Sequence, residues 1–161
     1  MPDEYPKALD ARIGFLLARA HLIARAEADR ALAGVGLTMK GYAALATLVS
    51  DGPVSQQKLS RRIRMDPATM VDVIDSLERS GHLLRRRNPD DRREYALLTT
   101  AKGRSLFARA EKALDVAERD TVRDLGAEDV RELMGLLGRI ARGSGRTELA
   151  SEAMVESALG R

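Results

Sequence analysis

The 161-residue chain has no cysteine and no tryptophan, and aromatic residues make up only 3% of it. Without a thiol it can form no disulfide framework, thiolate metal site, cysteine nucleophile or thiol redox sensor. With so few aromatics, the core has to be built from Leu, Ala, Val, Ile and Met, a mix that favours packed helices over a sandwich of strands. No stretch reaches the roughly 18 consecutive apolar residues of a membrane span. Residues 1–10 carry no apolar run followed by a small-residue cleavage site, so no secretory signal is expected and the expected location is cytoplasmic. What is present is globular: 44% hydrophobic and 32% charged residues, unlike the low-hydrophobicity signature of disorder. The length suits one domain, or one domain with an appendage.

Neither charge sign dominates, since 27 Lys and Arg stand against 24 Asp and Glu, but the distribution is uneven. Residues 1–54 carry six bases and six acids, residues 55–93 ten and six, and residues 94–161 eleven and twelve. The positive excess therefore lies wholly in the middle segment, in one cluster at Lys58, Arg61, Arg62 and Arg64 and another at Arg85, Arg86, Arg87, Arg92 and Arg93. Two basic clusters flanking a helix-like stretch form a local footprint for a polyanion, although a solvated charged surface has the same composition.

Hydrophobic spacing divides the chain into elements. Leu9, Ile13, Leu16, Leu17, Ala20, Ala24, Ala28, Ala31 and Leu32 recur at intervals of three and four, which predicts one long amphipathic helix to about Ala33, broken by Gly34 and Gly36. Thr38 is a predicted N-cap for a second helix through Tyr42, Leu45, Leu48 and Val49, which ends at Asp51, Gly52 and Pro53. Ser55 caps a short third helix ending near Arg64. Asp66 followed by Pro67 opens a fourth, because Asp accepts from first-turn amides and Pro lacks only a donor that would be orphaned there. Met70, Val73, Ile74 and Leu77 form the fourth helix's buried face, and Gly81 stops it. The pattern then alternates over residues 83–87 and 94–99, two strands joined by the turn-rich Asn88, Pro89, Asp90 and Asp91. Beyond the N-cap Thr100, helical spacing resumes through Phe107, Ala110, Leu114, Ala117 and Thr121, and again through Val130, Leu133, Met134, Leu137 and Ile140. Gly143, Ser144 and Gly145 read as a joint, with one short terminal helix over Leu149, Met154, Val155 and Leu159.

The fold expected is mainly α with a small β-hairpin wing. Two helices separated by about two residues and followed at once by a basic hairpin have the layout of a winged helix-turn-helix, whose second helix enters the DNA major groove. Its first turn, Pro67, Ala68, Thr69 and Met70, then faces base edges, with Thr69 able to donate or accept and Ala68 and Met70 offering apolar contact to a thymine methyl. Ser55, Gln56 and Arg64 join this DNA-facing set, and the hairpin arginines, among them Arg87, Arg92 and Arg93, reach phosphates or the adjacent minor groove. Asp72 and Asp75 cut against this reading, since carboxylates facing phosphates repel, although an Asp can accept from cytosine N4.

Residues 37–103 resemble the DNA-binding core of the MarR family of transcriptional regulators. The resemblance rests on Leu37 and Thr38 before Tyr42 and Leu45, the helix start from Ser55 to Leu59, and the helix end Leu77, Glu78, Arg79, Ser80 and Gly81. It continues in the wing residues Asp90, Asp91, Arg92 and Arg93 and in Thr100, Ala101, Lys102 and Gly103, the family's Thr-X-X-Gly opening of the next helix. It implies an obligate homodimer, with residues 1–36 and 101–161 as a helical dimerisation region and residues 37–100 as the winged helix-turn-helix domain. Such dimers typically repress their own or a neighbouring gene, and many release double-stranded DNA when a small anionic aromatic effector binds between the two regions. In the family's Asp-X-Arg wing motif the Asp orients the Arg, so Asp91 and Arg93 match as positioning group and DNA ligand; a β-turn in which Asp satisfies its own amides is the plainer alternative. Thr99 departs from the family by standing where Leu is usual. Arg85, Arg86 and Arg87 make the wing unusually basic, and at least one can pair with Asp90 or Asp91.

Other chemistry finds little support. The two histidines, His21 and His82, lack metal-ligand spacing, so no metal site and no cofactor are expected. Arg12, Arg19 or His21 with Tyr42 could supply the cation and hydrogen-bond donor that a carboxylate effector wants, but the two arginines can equally be solvated or pair with acids of a partner chain. Met39, Met65, Met70, Met134 and Met154 read as core filling or element ends rather than an oxidation switch. No phosphate-binding, nucleophile-elbow or zinc-protease motif is present, so no enzyme is expected. The alternative function is a helical interaction protein whose basic hairpin binds an acidic protein or a membrane surface.

Overall fold

The computed structural model describes residues 6–87 and 95–142. The wing residues Asp91, Arg92 and Arg93, the turn between the strands and the tail from residue 143 onward lie outside the described residues. Seven helices and three short strands are seen within them: α1 (Lys7–Asp10), α2 (Ile13–Gly34), α3 (Met39–Asp51), β1 (Val54–Ser55), α4 (Gln56–Ile63), α5 (Pro67–Arg79), β2 (Leu83–Arg87), β3 (Tyr95–Thr99), α6 (Ala101–Thr121) and α7 (Ala127–Arg142).

Each predicted cap is made. The side chains of Thr38, Ser55, Asp66 and Thr100 accept from the amides of Gly41, Lys58, Thr69 and Gly103, each three residues on, which satisfies donors that the helix itself leaves orphaned. Two corrections concern the elements. The single long N-terminal helix is broken, because Arg12 takes an extended backbone that separates α1 from α2, where Gly14 lowers helix propensity across the junction. The hairpin gains a third strand, giving the antiparallel order β1-β3-β2 with Val54 opposite Leu97 and Leu83 opposite Thr99. Two residues after a Gly-Pro turn are too few to show alternation, so β1 has no pattern of its own.

One core joins these elements. Leu32, Leu45, Leu59, Met70, Ile74, Leu83 and Leu97 are fully buried. Leu106 and Ala110 of α6 complete it. The C-terminal half of α2 is anchored here through Leu32, whereas α7 has no buried residue. No single helix among the described residues is long and apolar enough to cross a membrane.

Candidate nucleic-acid interface

The interface is built from α4, a short turn, α5 and the strands of the hairpin. Leu59 pins α4 to the core, while Arg61 and Arg62 occupy its exposed last turn. Arg62 pairs with Asp51 at the end of α3. The turn to α5 hinges on Arg64, whose φ of 52° and ψ of 41° are left-handed. It is held there by the core residue Met65, whose amide bonds the Ser60 carbonyl at 3.0 Å and whose own carbonyl accepts from the Ser60 hydroxyl. A non-glycine residue pays about 1–2 kcal/mol for this conformation, and here it places a guanidinium in solvent beside the start of α5.

Asp66 and Pro67 fix where α5 begins. Pro67 and Ala68 are exposed and Thr69 is half-buried. Met70 is fully buried, so it supports the first turn from beneath and cannot present its thioether to a base. Its assignment to the buried face holds and its assignment to the DNA face does not: successive helical residues are about 100° apart, and the core claims this one. The exposed apolar side chain is Val71 instead, followed by the exposed Asp72. Ala68, Val71 and Asp72 share one face by their spacing of three and four.

Asp75 is not left facing solvent alone. Arg85 of β2 donates through Nη2 to Asp75 Oδ1 and through Nη1 to Glu78 Oε2, and its backbone amide approaches Glu78 Oε1 at 3.3 Å. Arg85 thus pairs with α5; the expected pairing of a wing arginine with Asp90 or Asp91 lies outside the described residues. Arg86 and Arg87 are exposed and form no ion pair with a described residue. Ser55 and Gln56, at the start of α4, are half-buried, and Ser55 is occupied as the α4 cap.

The base of the hairpin is locked to α6. The Thr100 hydroxyl donates to the Gly81 carbonyl at 2.8 Å, and its amide bonds the His82 carbonyl at 3.1 Å. Lys102 Nζ reaches the Ser80 carbonyl at 2.8 Å. The His82 ring, hydrogen-bonded to Ser80 at 2.8 Å, is held below its ordinary pKa, first by burial and then by Lys102 and Arg109.

The four residues considered for an effector are not drawn together by any described contact. Arg12 precedes α2 as its extended N-cap, Arg19 and His21 lie in its N-terminal half, and all three are exposed. Tyr42 instead stacks on Phe107 with ring centroids 5.8 Å apart and donates to Glu111 at 2.6 Å. Burial and then Glu111 push its phenol up to about 12, with Glu118 and Asp115 adding to the effect. A separate cleft of about 240 Å³, absent from the sequence reading, is lined by Leu48, Val49, Gly52, Pro53, Leu98, Thr99 and Arg104. Its walls come from two segments, residues 48–53 and 98–104, that are distant in sequence, so no local pattern announces it. Among the described residues no cluster of three His, Asp or Glu side chains forms a metal-ligand set.

Comparison with known proteins agrees with this architecture. Residues 37–95 match the sequence profile of the MarR family. An HTH-type transcriptional repressor of Mycobacterium tuberculosis is 30% identical over 131 residues, covering 81% of this chain and 94% of that protein. A crystal structure of a MarR family protein of M. tuberculosis in complex with DNA superposes with a TM-score of 0.69 at 32% identity, covering 84% of this chain and 100% of that one. A complex of an M. tuberculosis MarR family protein with salicylic acid gives 0.66 at 30% identity, covering 87% and 99%.

Proposed function

This chain belongs to the MarR family of transcriptional regulators, and we propose that it acts as a homodimeric repressor whose two winged lobes grip the halves of a pseudo-palindromic operator. The observation that carries this reading is the exposed first turn of α5, capped by Asp66 and tied to a basic hairpin strand through Arg85. Pro67, Ala68, Thr69, Val71 and Asp72 meet base edges in the major groove, while Arg64, Arg87, Arg92 and Arg93 meet phosphates or the minor groove, with Asp91 orienting Arg93. Ser55 and Gln56 bring the start of α4 to the backbone. Residues 37–100 form the DNA-binding domain in this reading.

Dimerisation through residues 1–36 and 101–161 is supported by what those helices leave uncovered. Ile13 is 73% exposed and Met134 68%, and Leu22, Ile23 and Ile140 are each more than half exposed. Large apolar side chains in such numbers on terminal helices mark a contact with another chain, and an isologous pair matches the two-fold symmetry of a palindrome. Half-sites are then about 34–36 Å apart, one helical turn of DNA.

A small anionic aromatic effector, held between the two regions, releases the DNA. The salicylic acid complex of the M. tuberculosis MarR family protein supports this class of ligand. In this chain Arg12 or Arg19 supplies the cation and His21 a hydrogen-bonding ring. Tyr42, its hydroxyl engaged with Glu111, contributes its ring as a wall. The test is selection of promoter fragments with the purified protein, repeated with aromatic acids. Enrichment of a palindrome that is lost with acid supports the reading, and a monomer in sedimentation with no duplex affinity defeats it.

A further inference from the structure

We propose that Arg85 is a charge-screening and positioning residue, which cancels Asp75 and Glu78 so that α5 and the hairpin can approach the same stretch of phosphate backbone. The inference rests on the DNA-binding reading above. Asp75 and Glu78 follow Ala68, Val71 and Asp72 along α5, so an uncompensated carboxylate at either place stands on the helix that enters the groove. Both acids meet the single guanidinium of Arg85, which is planar and can hold two carboxylates at once without leaving the strand. The Arg85 amide adds a second link to Glu78, so the strand's backbone as well as its side chain is set against the helix.

The three side chains are partly open to solvent, with 27% of Arg85, 45% of Asp75 and 36% of Glu78 exposed. Pairs that open to solvent contribute little to folding. Their reach to a neighbouring polyanion is another matter, because phosphates lie within a Debye length of any side chain at the interface. Arg85 therefore spends its charge inside the protein. Of the acids on α5, only Asp72 is left to present a carboxylate, at a position where it can accept from cytosine N4. The phosphate ligands are the neighbouring Arg86 and Arg87, which have no ion pair with a described residue.

The test compares three variants of the full chain for operator affinity and for its dependence on salt. Arg85→Gln is expected to weaken binding to operator and random duplex alike by about tenfold, with no reduction in the salt slope. Restoring neutrality in the triple variant Arg85→Gln, Asp75→Asn, Glu78→Gln is expected to bring affinity back to within about twofold of the wild type. The double variant Asp75→Asn, Glu78→Gln keeps Arg85 and frees it, so it is expected to bind more tightly and to steepen the slope by about one for each chain. This double variant also decides the matter should Arg85→Gln fold poorly. The proposal is overturned if Arg85→Gln lowers the slope by about one per chain and the triple variant stays weak, which makes Arg85 itself a phosphate ligand. It is overturned equally if Arg85→Gln binds as the wild type does, or if the double variant binds more weakly. Failure of the underlying DNA-binding reading looks different, since the wild-type chain then binds no duplex at all.

Discussion

A Cβ placed on Gly103 would lie 1.9 Å from the carbonyl oxygen of His82. The first turn of α6 and the start of β2 approach so closely that only a hydrogen fits between them, and Thr100 ties the same two segments with its amide and hydroxyl. The Thr-X-X-Gly pattern is thus a joint between the hairpin and the long helix that leads out of the domain. Gly103→Ala is expected to cost about 1–3 kcal/mol, since backbone rather than a flexible side chain must move. Urea unfolding checks this, with Ala101→Gly as a contrast that loses only helix propensity.

Arg64 occupies a left-handed conformation that costs a side chain about 1–2 kcal/mol. Arg64→Gly is expected to relieve that strain, with a net gain of about 0.5–1 kcal/mol once the greater freedom of glycine in the unfolded chain is counted. The same change is expected to weaken duplex binding and to lower the salt slope by about one per chain. Stability and binding then move in opposite directions, which chemical denaturation and a salt series measure on one variant.

Neighbouring residues on α5 differ in burial, and the proposed function gives them different tasks. Met70 is fully buried, so Met70→Ala is expected to cost about 2–5 kcal/mol. Val71 is 42% exposed, so Val71→Ala is expected to change stability by less than about 0.5 kcal/mol. Its effect falls on sequence preference, by about 1–3 kcal/mol at one operator position in a panel of single-base variants.

The His82 ring has its folded pKa below 6.5. As pH falls, the unfolded chain takes up this proton before the folded chain does, so folding weakens. The contribution is complete above pH 6.5 and is lost as pH drops through that value toward the folded pKa. Urea midpoints measured across that window are expected to fall with pH in the wild type and to flatten in His82→Gln. An identical slope in both proteins assigns the effect to other groups.

Local chemistry was legible in the chain, and choices of distant partner were not. Thr38, Ser55, Asp66 and Thr100 were readable as caps because a cap and its amide are three residues apart. Gly81 was readable as a helix stop, and it has a φ of 74°. Arg85 was readable as a base but not as the partner of Asp75 and Glu78, ten and seven residues earlier, because wing acids closer in sequence offered the same charge. Met70 fitted either of two helix faces by composition, and only the packing of α5 on the core decided between them. Val54 and Ser55 became a strand by pairing with Leu97 and Ala96, more than 40 residues away. The left-handed Arg64 was hidden for another reason, since that conformation is normally announced by glycine.

The proposed function turns on this chain reading a palindromic operator as a dimer. Its most direct test is a competition titration of the full chain against a duplex recovered from promoter fragments, in excess random duplex at fixed salt, with the stoichiometry followed by sedimentation. Two chains per palindrome and a preference of at least about a thousandfold over random sequence are expected. Equal affinity for the two duplexes, or saturation by a single chain, contradicts the proposed function.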